Sequence, residues 1–522
     1  MRLVIYMKRC FLIPQVTIGF LFFFLICSLS IAGWKYAAPQ GQERGGNKNS
    51  APLVSSLLPA FPGAVGMGAH SVGGRGGDVY IVDTLSDNPD DGLTFREAVE
   101  ASGPRTVVFA VSGNIVLQDR LWITNSFLTI AGETSPGGIA VVGERVTLKN
   151  VHDVIIRHLR FRVGYSNAGN PDAEMDAFQI WGDPNQYNST DPQYHSYNII
   201  VDHCSFSFGI DENIETAYTV YDITFSHNLN SFALKDPPVV NAPGAEGGMH
   251  NLGGLHWGKY AAVIPRITFF ANYYNSLTSR MPQANYDGFV DMRNNVAYNF
   301  FGGSTPGFYA VDPLTYSMKG NFVNNYTLGG PQSNSTHGVI SGSLDNGAGS
   351  MYFTGNTGCN IVGGTSEWCV GRDWQQYLLD ISVKSSVPFP TTGIPVVSSP
   401  LGTKNLALAV VQNAGAMVPV RDSLDTRAVN DFINETDGTW NGGVTYPDDF
   451  PLFENIPPPL DSDADGMSDA WEIAVFGDTS RTHDGDEDGD GYTNIEEYLH
   501  CLVGDCSVNT GFLFSDGFES QG

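Results

Sequence analysis

Glu174, Asp176, Asp211 and Glu215 are the residues whose types and spacing first suggest chemistry. Glu174 and Asp176 stand two apart in Asp172-Ala-Glu-Met-Asp-Ala-Phe-Gln-Ile, so an extended backbone points both to one side. Asp211 and Glu215 stand four apart at the end of the stretch Val201 to Glu215, where an alternating strand turns a corner. On neighbouring rungs of a stacked coil, about 4.8 Å apart, these four carboxylates surround one hard cation. Oxygen-only donors favour Ca²⁺ over Zn²⁺. Lys235 and Arg280 follow and can lie on the same wall, so the cleft fits an anionic ligand bridged through metal to protein. The plain alternative is a set of solvated surface charges.

Such a site requires rungs, and the rest of the chain has the composition for them. Its 522 residues include 60 Gly and 29 Pro, with only 16% charged residues, as expected of a large β-rich protein with many turns. From Thr106 onward, short β-branched or aromatic runs alternate with Asn, Asp, Gly and Ser. Six runs centred on Ile155, Phe178, Ile200, Ile223, Ile267 and Val290 are separated by 23, 22, 23, 44 and 23 residues. The spacing predicts a stacked β-solenoid, since one rung cannot bury its inward face alone. The interval of 44 reads as two turns, with the Gly/Pro-rich excursion Asp236 to Lys259 leaving the stack as a loop. Asn198, Asn228, Asn272, Asn294, Asn295, Asn321 and Asn324 read as corner residues, because Asn tolerates left-handed angles and can hydrogen-bond up a stack. Thr94 with Glu97 forms a capping-box pattern opening a short helix over Thr94 to Ala101, and a second capped helix is expected within Val418 to Ile433. The glycine run at Gly73 is not a phosphate loop, because no Lys-Ser/Thr follows it.

Residues 1–32 pair basic residues with a long apolar run ending in small residues, which reads as a secretion signal, a retained anchor being the alternative. Residues 33–56 read as a linker, 57–450 as the solenoid, and 451–460 as a proline-rich boundary. The formal net charge is −28, but residues 448–522 hold 19 acidic residues against one basic residue, Arg481, so about −18 belongs to the tail. This acidic balance points away from nucleic acid. Cys359 with Cys369, and Cys501 with Cys506, are close pairs suited to local disulfides in an oxidising compartment. Cys204 reads as a small core residue.

Residues 461–506 form a separate module. Asp461, Asp463, Asp465, Asp469 and Glu472, and then Asp486, Asp488, Asp490, Asn494 and Glu497, fall at positions 1, 3, 5, 9 and 12 around a glycine at position 6. This is the EF-hand calcium-loop pattern, twice. It resembles the dockerin-like or thrombospondin-type modules of secreted enzymes and implies docking, cell-envelope attachment or a folded spacer. Residues 507–522 are a tail.

Several stretches together resemble the pectate lyases of polysaccharide lyase family one. They are Phe61-Pro-Gly-Ala-Val-Gly-Met-Gly, Ile130-Ala-Gly-Glu-Thr-Ser-Pro-Gly-Gly, Val154-Ile-Ile-Arg-His-Leu-Arg-Phe-Arg, Asp176-Ala-Phe, Ile200-Val-Asp-His-Cys-Ser-Phe-Ser, Ser279-Arg-Met-Pro and Arg421-Asp-Ser-Leu-Asp. The resemblance spans roughly Phe61 to Asp437. It implies an all-β, right-handed parallel β-helix and a secreted, monomeric, Ca²⁺-dependent lyase acting on polygalacturonate or pectin. It puts calcium ligands at Asp176, Asp211 and Glu215, with Glu174 in place of an Asp, a catalytic base at Arg280 and a substrate-binding lysine at Lys235. Gln283 and Asn285 depart from the family's second Arg, whose substrate contact is then either lost or supplied from elsewhere, for instance by Lys259 or Arg293. Asp202-His203 reads as structural. A non-catalytic polysaccharide-binding solenoid, or a lyase for another polyuronate, are the alternatives.

Overall fold

The computed structural model describes residues 58–164, 175–235, 250–258, 263–300, 309–310, 318–333, 350–359, 385–391, 401–441 and 444–506. The leader, Glu174, Lys259, the Cys369 position and the terminal tail lie outside these residues. The described strands form three sheets of ten, nine and seven strands, and every named strand pair is parallel. Successive strands of each sheet come from successive turns of the chain. This is a parallel β-helix, mostly β with few helices.

The pairing register corrects the spacing argument. Phe178 pairs with Val146 and Ile214 in the seven-stranded sheet, so it does not belong to the column of Ile155 and Ile200. Ile155 pairs directly with Ile200, and Thr224 with Thr268 in the same ten-stranded sheet. The interval of 44 is therefore one long turn, not two. The expected excursion is also shorter than its sequence limits, because Leu252–Gly258 is a regular strand of the seven-stranded sheet. Short rungs, such as Ile200 to Thr224 and Thr268 to Asp291, do keep the expected spacing.

In-register stacking puts like above like. Phe161 stacks on Phe206 at 5.5 Å and Phe225 on Phe269 at 5.6 Å, all fully or nearly fully buried. Each such ring contributes about 1.5–3 kcal/mol by leaving water. At the corner between the ten- and nine-stranded sheets, His203, His227, Ala271, Asn294 and Asn324 all take left-handed backbone angles, with φ from 49° to 57°. The residue after each corner enters a ladder. Asn272 Oδ1 accepts the Asn228 amide at 2.9 Å, and Asn272 Nδ2 donates to Phe225 O and to Asn295 Oδ1, both at 2.9 Å. Asn295, Asn325 and Asn356 repeat the pattern. Cys204, buried and free, takes the ladder position on the first of these rungs, where its amide donates to Asn228 Oδ1 at 2.8 Å.

Among the described residues, other segments cover two of the three outer faces. The glycine-rich N-terminal run crosses the ten-stranded sheet so closely that a Cβ on Gly68 would lie 2.1 Å from Ile199 O. Helices α1 (Phe95–Glu100), α2 (Lys404–Asn413) and α3 (Ser423–Asn434) follow, α1 with the expected capping box on Thr94. Asp422 caps α3 and pairs with the buried Arg160 and Arg162 at 2.8 and 2.7 Å, fixing α3 on the nine-stranded sheet. Helices α4 (Asp469–Val475) and α5 (Asn494–Leu502) share a buried cluster with Val108 and Ala131 of the first rungs. Arg75 closes that contact through Glu496 at 2.9 Å. The segment also holds a disulfide between Cys501 and Cys506.

Replacing Asn272 by Ala orphans the Asn228 amide and the Phe225 carbonyl. Each loss costs about 1–3 kcal/mol. The urea midpoint of Asn272→Ala should fall accordingly, with an unchanged denaturant slope.

Candidate functional site

The acids meet on the seven-stranded sheet. Gln179 pairs with Glu215 across adjacent rungs, which brings Asp176, just ahead of its strand, beside Glu212. The Glu212 amide donates to Asp176 Oδ1 at 2.8 Å. Carboxylate oxygens of Asp176, Asp211 and Glu212 lie within 4.8 Å of one another. Glu212 was missed in the sequence because strict alternation sends it away from Asp211. The strand begins only at Glu212, however, and Ile210 and Asp211 both bond the Met175 carbonyl, at 2.8 and 3.4 Å, so alternation fails across the corner. Gly209 makes that corner possible, since a Cβ there would meet Glu212 O at 2.1 Å.

Glu215 stands next to this trio with its carboxylate already held. It accepts from Trp181 Nε1 at 2.6 Å, Trp257 Nε1 at 2.9 Å and Gln179 Nε2 at 3.2 Å. Gln179 Nε2 also donates to Asp176 Oδ2 at 2.7 Å. Burial, then the charges of Glu215 and Asp211, push the Asp176 carboxyl well above the usual range. Burial likewise raises Glu215, opposed by the two indole donors. Buried, mutually repelling, oxygen-only donors are a set that a Ca²⁺ ion fits and relieves.

Arg280 sits just ahead of Gln283–Tyr286, the strand two along this sheet from Glu212, in a left-handed conformation with φ 61°. Its guanidinium pairs with Glu212 and remains partly exposed. The Arg280 carbonyl accepts from the Gly254 amide at 2.6 Å, and a Cβ on Gly253 would come within 2.3 Å of that oxygen. Two glycines thus let the arginine's backbone approach the strand below. Lys235 is tied to the same wall through its backbone: its carbonyl accepts the His250 amide at 3.1 Å, and His250 Nδ1 lies 3.3 Å from Asp211 Oδ1. His250 carried no sequence signal, being a lone histidine in a glycine-rich stretch.

Arg293 cannot supply the contact expected of a second arginine. It is buried on the ten-stranded sheet and pairs with Asp291 at 2.8 Å. Asp202 lies at the corner of the ten- and nine-stranded sheets, where Arg157, His203, Ser226 and His227 all bond its carboxylate, holding it well below the usual range.

In the C-terminal segment Asp461, Asp463 and Asp465 converge, as do Asp486, Asp488 and Asp490. Asp469 caps the first loop through Ser462. Glu472 is fully buried on α4 with neither carboxylate oxygen hydrogen-bonded, facing the charges of Asp465, Asp463, Asp469 and Asp461. Its pKa is pushed up to about 7, as is that of Glu497 beside the second trio, in both cases first by burial and then by the loop acids. Asn494 donates to Thr482 O at 2.8 Å.

The raised values set a pH dependence. Asp176, Glu215, Glu472 and Glu497 bind protons more tightly folded than unfolded. Their favourable contribution is therefore complete below the unfolded carboxylate range and is lost as pH rises through the raised values. In chelator, the melting temperature should drop between about pH 5 and about pH 8. Added Ca²⁺ should restore it with the larger gain at the higher pH, and Asp176→Asn should shrink that gain.

No family model matches the chain. By sequence it is similar to a probable pectate lyase C of Aspergillus flavus, 28% identical over 461 residues, which cover 86% of this chain and 95% of that protein. A probable pectate lyase C of Aspergillus fumigatus is 29% identical over 486 residues, covering 87% and 99%. A putative pectate lyase 2 of Arabidopsis thaliana is 29% identical over 279 residues, covering 50% and 63%. Among solved structures, the thermostable pectate lyase PL 47 aligns with a TM-score of 0.46 and 17% identity over 69% of this chain and 98% of that one. A Bacillus pectate lyase in complex with trigalacturonate aligns with a TM-score of 0.43 and 17% identity, covering 68% and 98%. The chain is thus a homologue of proteins named as pectate lyases, which are polysaccharide lyases.

Proposed function

We propose that this homologue of pectate lyases cleaves demethylated pectin, polygalacturonate, by β-elimination in a Ca²⁺-dependent reaction. The observation that carries the reading is the pairing of Arg280 with Glu212 at the edge of the Asp176, Asp211 and Glu212 trio. Those three acids, with Glu215 beside them and Glu174 from outside the described residues, are the proposed cation ligands. A bound Ca²⁺ would neutralise the substrate carboxylate and so ease removal of the adjacent C5 proton.

The chain's own groups do the rest. Arg280 takes the C5 proton, the C–H electron pair becomes the C4–C5 double bond, and the glycosidic oxygen leaves C4 with its bonding pair and is protonated by solvent. A guanidinium paired with Glu212 stays protonated, so the base must be released from that carboxylate before it acts. Alkaline conditions raise the fraction of deprotonated guanidine and so favour the reaction. Lys235, anchored beside His250, is the proposed carboxylate contact of the substrate.

The leader pattern and the Cys501–Cys506 disulfide support a secreted or cell-envelope protein, proposed to act as a monomer. The C-terminal loops are proposed to hold two further Ca²⁺ ions, with the segment open to docking or envelope attachment. The second reading, a polysaccharide-binding solenoid without activity, draws on Gln283 and Asn285, which stand on the rung above Leu255 and Trp257 where the family motif continues with arginine.

The deciding experiment is ultraviolet absorbance of the unsaturated product from polygalacturonate, run beside alginate. Arg280→Ala should lower kcat by about 100-fold or more, and chelator should abolish activity reversibly. Equal activity of Arg280→Ala and wild type would remove the proposed base, and product from alginate alone would reassign the substrate. Separately, Glu472→Gln should delete one of the tail sites in a calorimetric Ca²⁺ titration.

A further inference from the structure

The C-terminal segment gathers charge that its own hydrogen bonds do not answer. Residues 461–506 hold 14 acidic residues against one basic residue, Arg481. Asp461, Asp463 and Asp465 converge in the first loop, and Asp486, Asp488 and Asp490 in the second. Crowded carboxylates are common on an acidic surface, but here buried acceptors without hydrogen-bond partners fall at the loop positions that would face an ion. They are Asp465 Oδ2 at position 5 and both oxygens of Glu472 at position 12 of the first loop, and Asn494 Oδ1 at position 9 of the second. Glu472 and Asn494 are fully buried. Buried acceptors left in this state cost stability until something binds them, and an all-oxygen set selects a hard divalent cation.

The same loops carry the contacts that hold the segment on the solenoid. Gly466, at the sixth position of the first loop, lies so close to the strand Asp78–Val82 that a Cβ there would come 2.6 Å from Val79 Cγ1. Met467 beside it is fully buried, in one cluster with Val108 and Ala131. In the second loop, the Arg75 guanidinium lies 5.2 Å over the Tyr492 ring, and Arg75 Nε donates at 2.9 Å to Glu496, the neighbour of Glu497. Farther along, Asp505 lies 3.5 Å from Arg157. In both loops, then, a residue placed to bind an ion adjoins one that grips the solenoid: Asp465 with Gly466, and Glu497 with Glu496. The apolar faces of α4 and α5 are taken up by this contact. Trp471, Ile495 and Leu499 are buried in it, and among the described residues of 461–506 Ile473 is the one large apolar side chain left exposed.

We propose that the partner of the C-terminal segment is the start of its own solenoid, and that Ca²⁺ in the two loops controls how firmly the segment grips it. The inference rests on the reading that these loops hold Ca²⁺. With both loops filled, their carboxylates are drawn together and α4 and α5 stay against the first rungs. With the loops empty, like charges push apart the backbone that carries Gly466 and Glu496, and the grip opens. The segment is thus a clasp on this chain and not a docking module for a second protein.

The test is hydrogen exchange of the full chain, read by mass spectrometry, in the Asp176→Asn variant, where the acid wall loses a ligand and the loops are intact. A calorimetric Ca²⁺ titration of the same variant measures loading. At Ca²⁺ about a hundredfold above the dissociation constant, exchange in Asp78–Val82 and Arg105–Phe109 should slow by about 100-fold. Lys319–Val323, near the other end of the same sheet, should not change. Glu472→Gln and Glu497→Gln should each weaken Ca²⁺ binding and remove most of the protection. Arg75→Ala, outside the ligand positions, should still bind Ca²⁺ yet show less protection at the same Ca²⁺ level. Ca²⁺ binding with no slowing in the first two strands, or with equal slowing in Lys319–Val323, would overturn the clasp alone. No Ca²⁺ binding, or binding untouched by both glutamine variants, would overturn the loop reading and the clasp with it.

Discussion

In-register parallel pairing is the constraint on which everything else in this protein depends. Because each rung lies directly on the one below, a residue's partner is decided by column and not by sequence distance. Asp176 meets Glu212, and Arg162 meets Asp422 and Asp425, across separations that no local interaction would bridge. The cost is that every rung must turn its corners at the same height. The left-handed corner residues and the asparagine ladder meet that requirement together, since the ladder bonds satisfy buried amides and carbonyls that the corner would otherwise strand.

The acid wall shows how this architecture holds like charges. Asp176 and Glu215 are buried close together, and the hydrogen bonds to each come from neutral donors, the Glu212 amide and Gln179 for one, two indoles and the same glutamine for the other, with Arg145 and Arg120 adding a lesser opposite charge nearby. Neutral donors stabilise a carboxylate without cancelling its charge, so the negative potential of the wall survives. Arg280 is held by Glu212 at the edge of the group.

Much of this was legible in residue order, and the failures have physical causes. The capping box on Thr94, the helix capped by Asp422 and the buried free Cys204 follow from local rules and were read correctly. The short rungs were visible because β-branched runs mark inward columns. Phe178 was put in the wrong column because a short strand-like run looks alike in any of three sheets, and only pairing distinguishes them. Glu212 was overlooked because strand alternation was extended across a corner that begins at Gly209.

The C-terminal segment folds back onto the first rungs, where Trp471 and Leu499 cover Val108 and Ala131. During synthesis, then, the earliest coils leave the ribosome with an apolar flank whose cover is encoded more than three hundred and thirty residues later. The solenoid can propagate rung by rung from its start, yet that flank stays wet until the chain is nearly complete, so the last helices act as the closing step of assembly and not as an appendage added to a finished body.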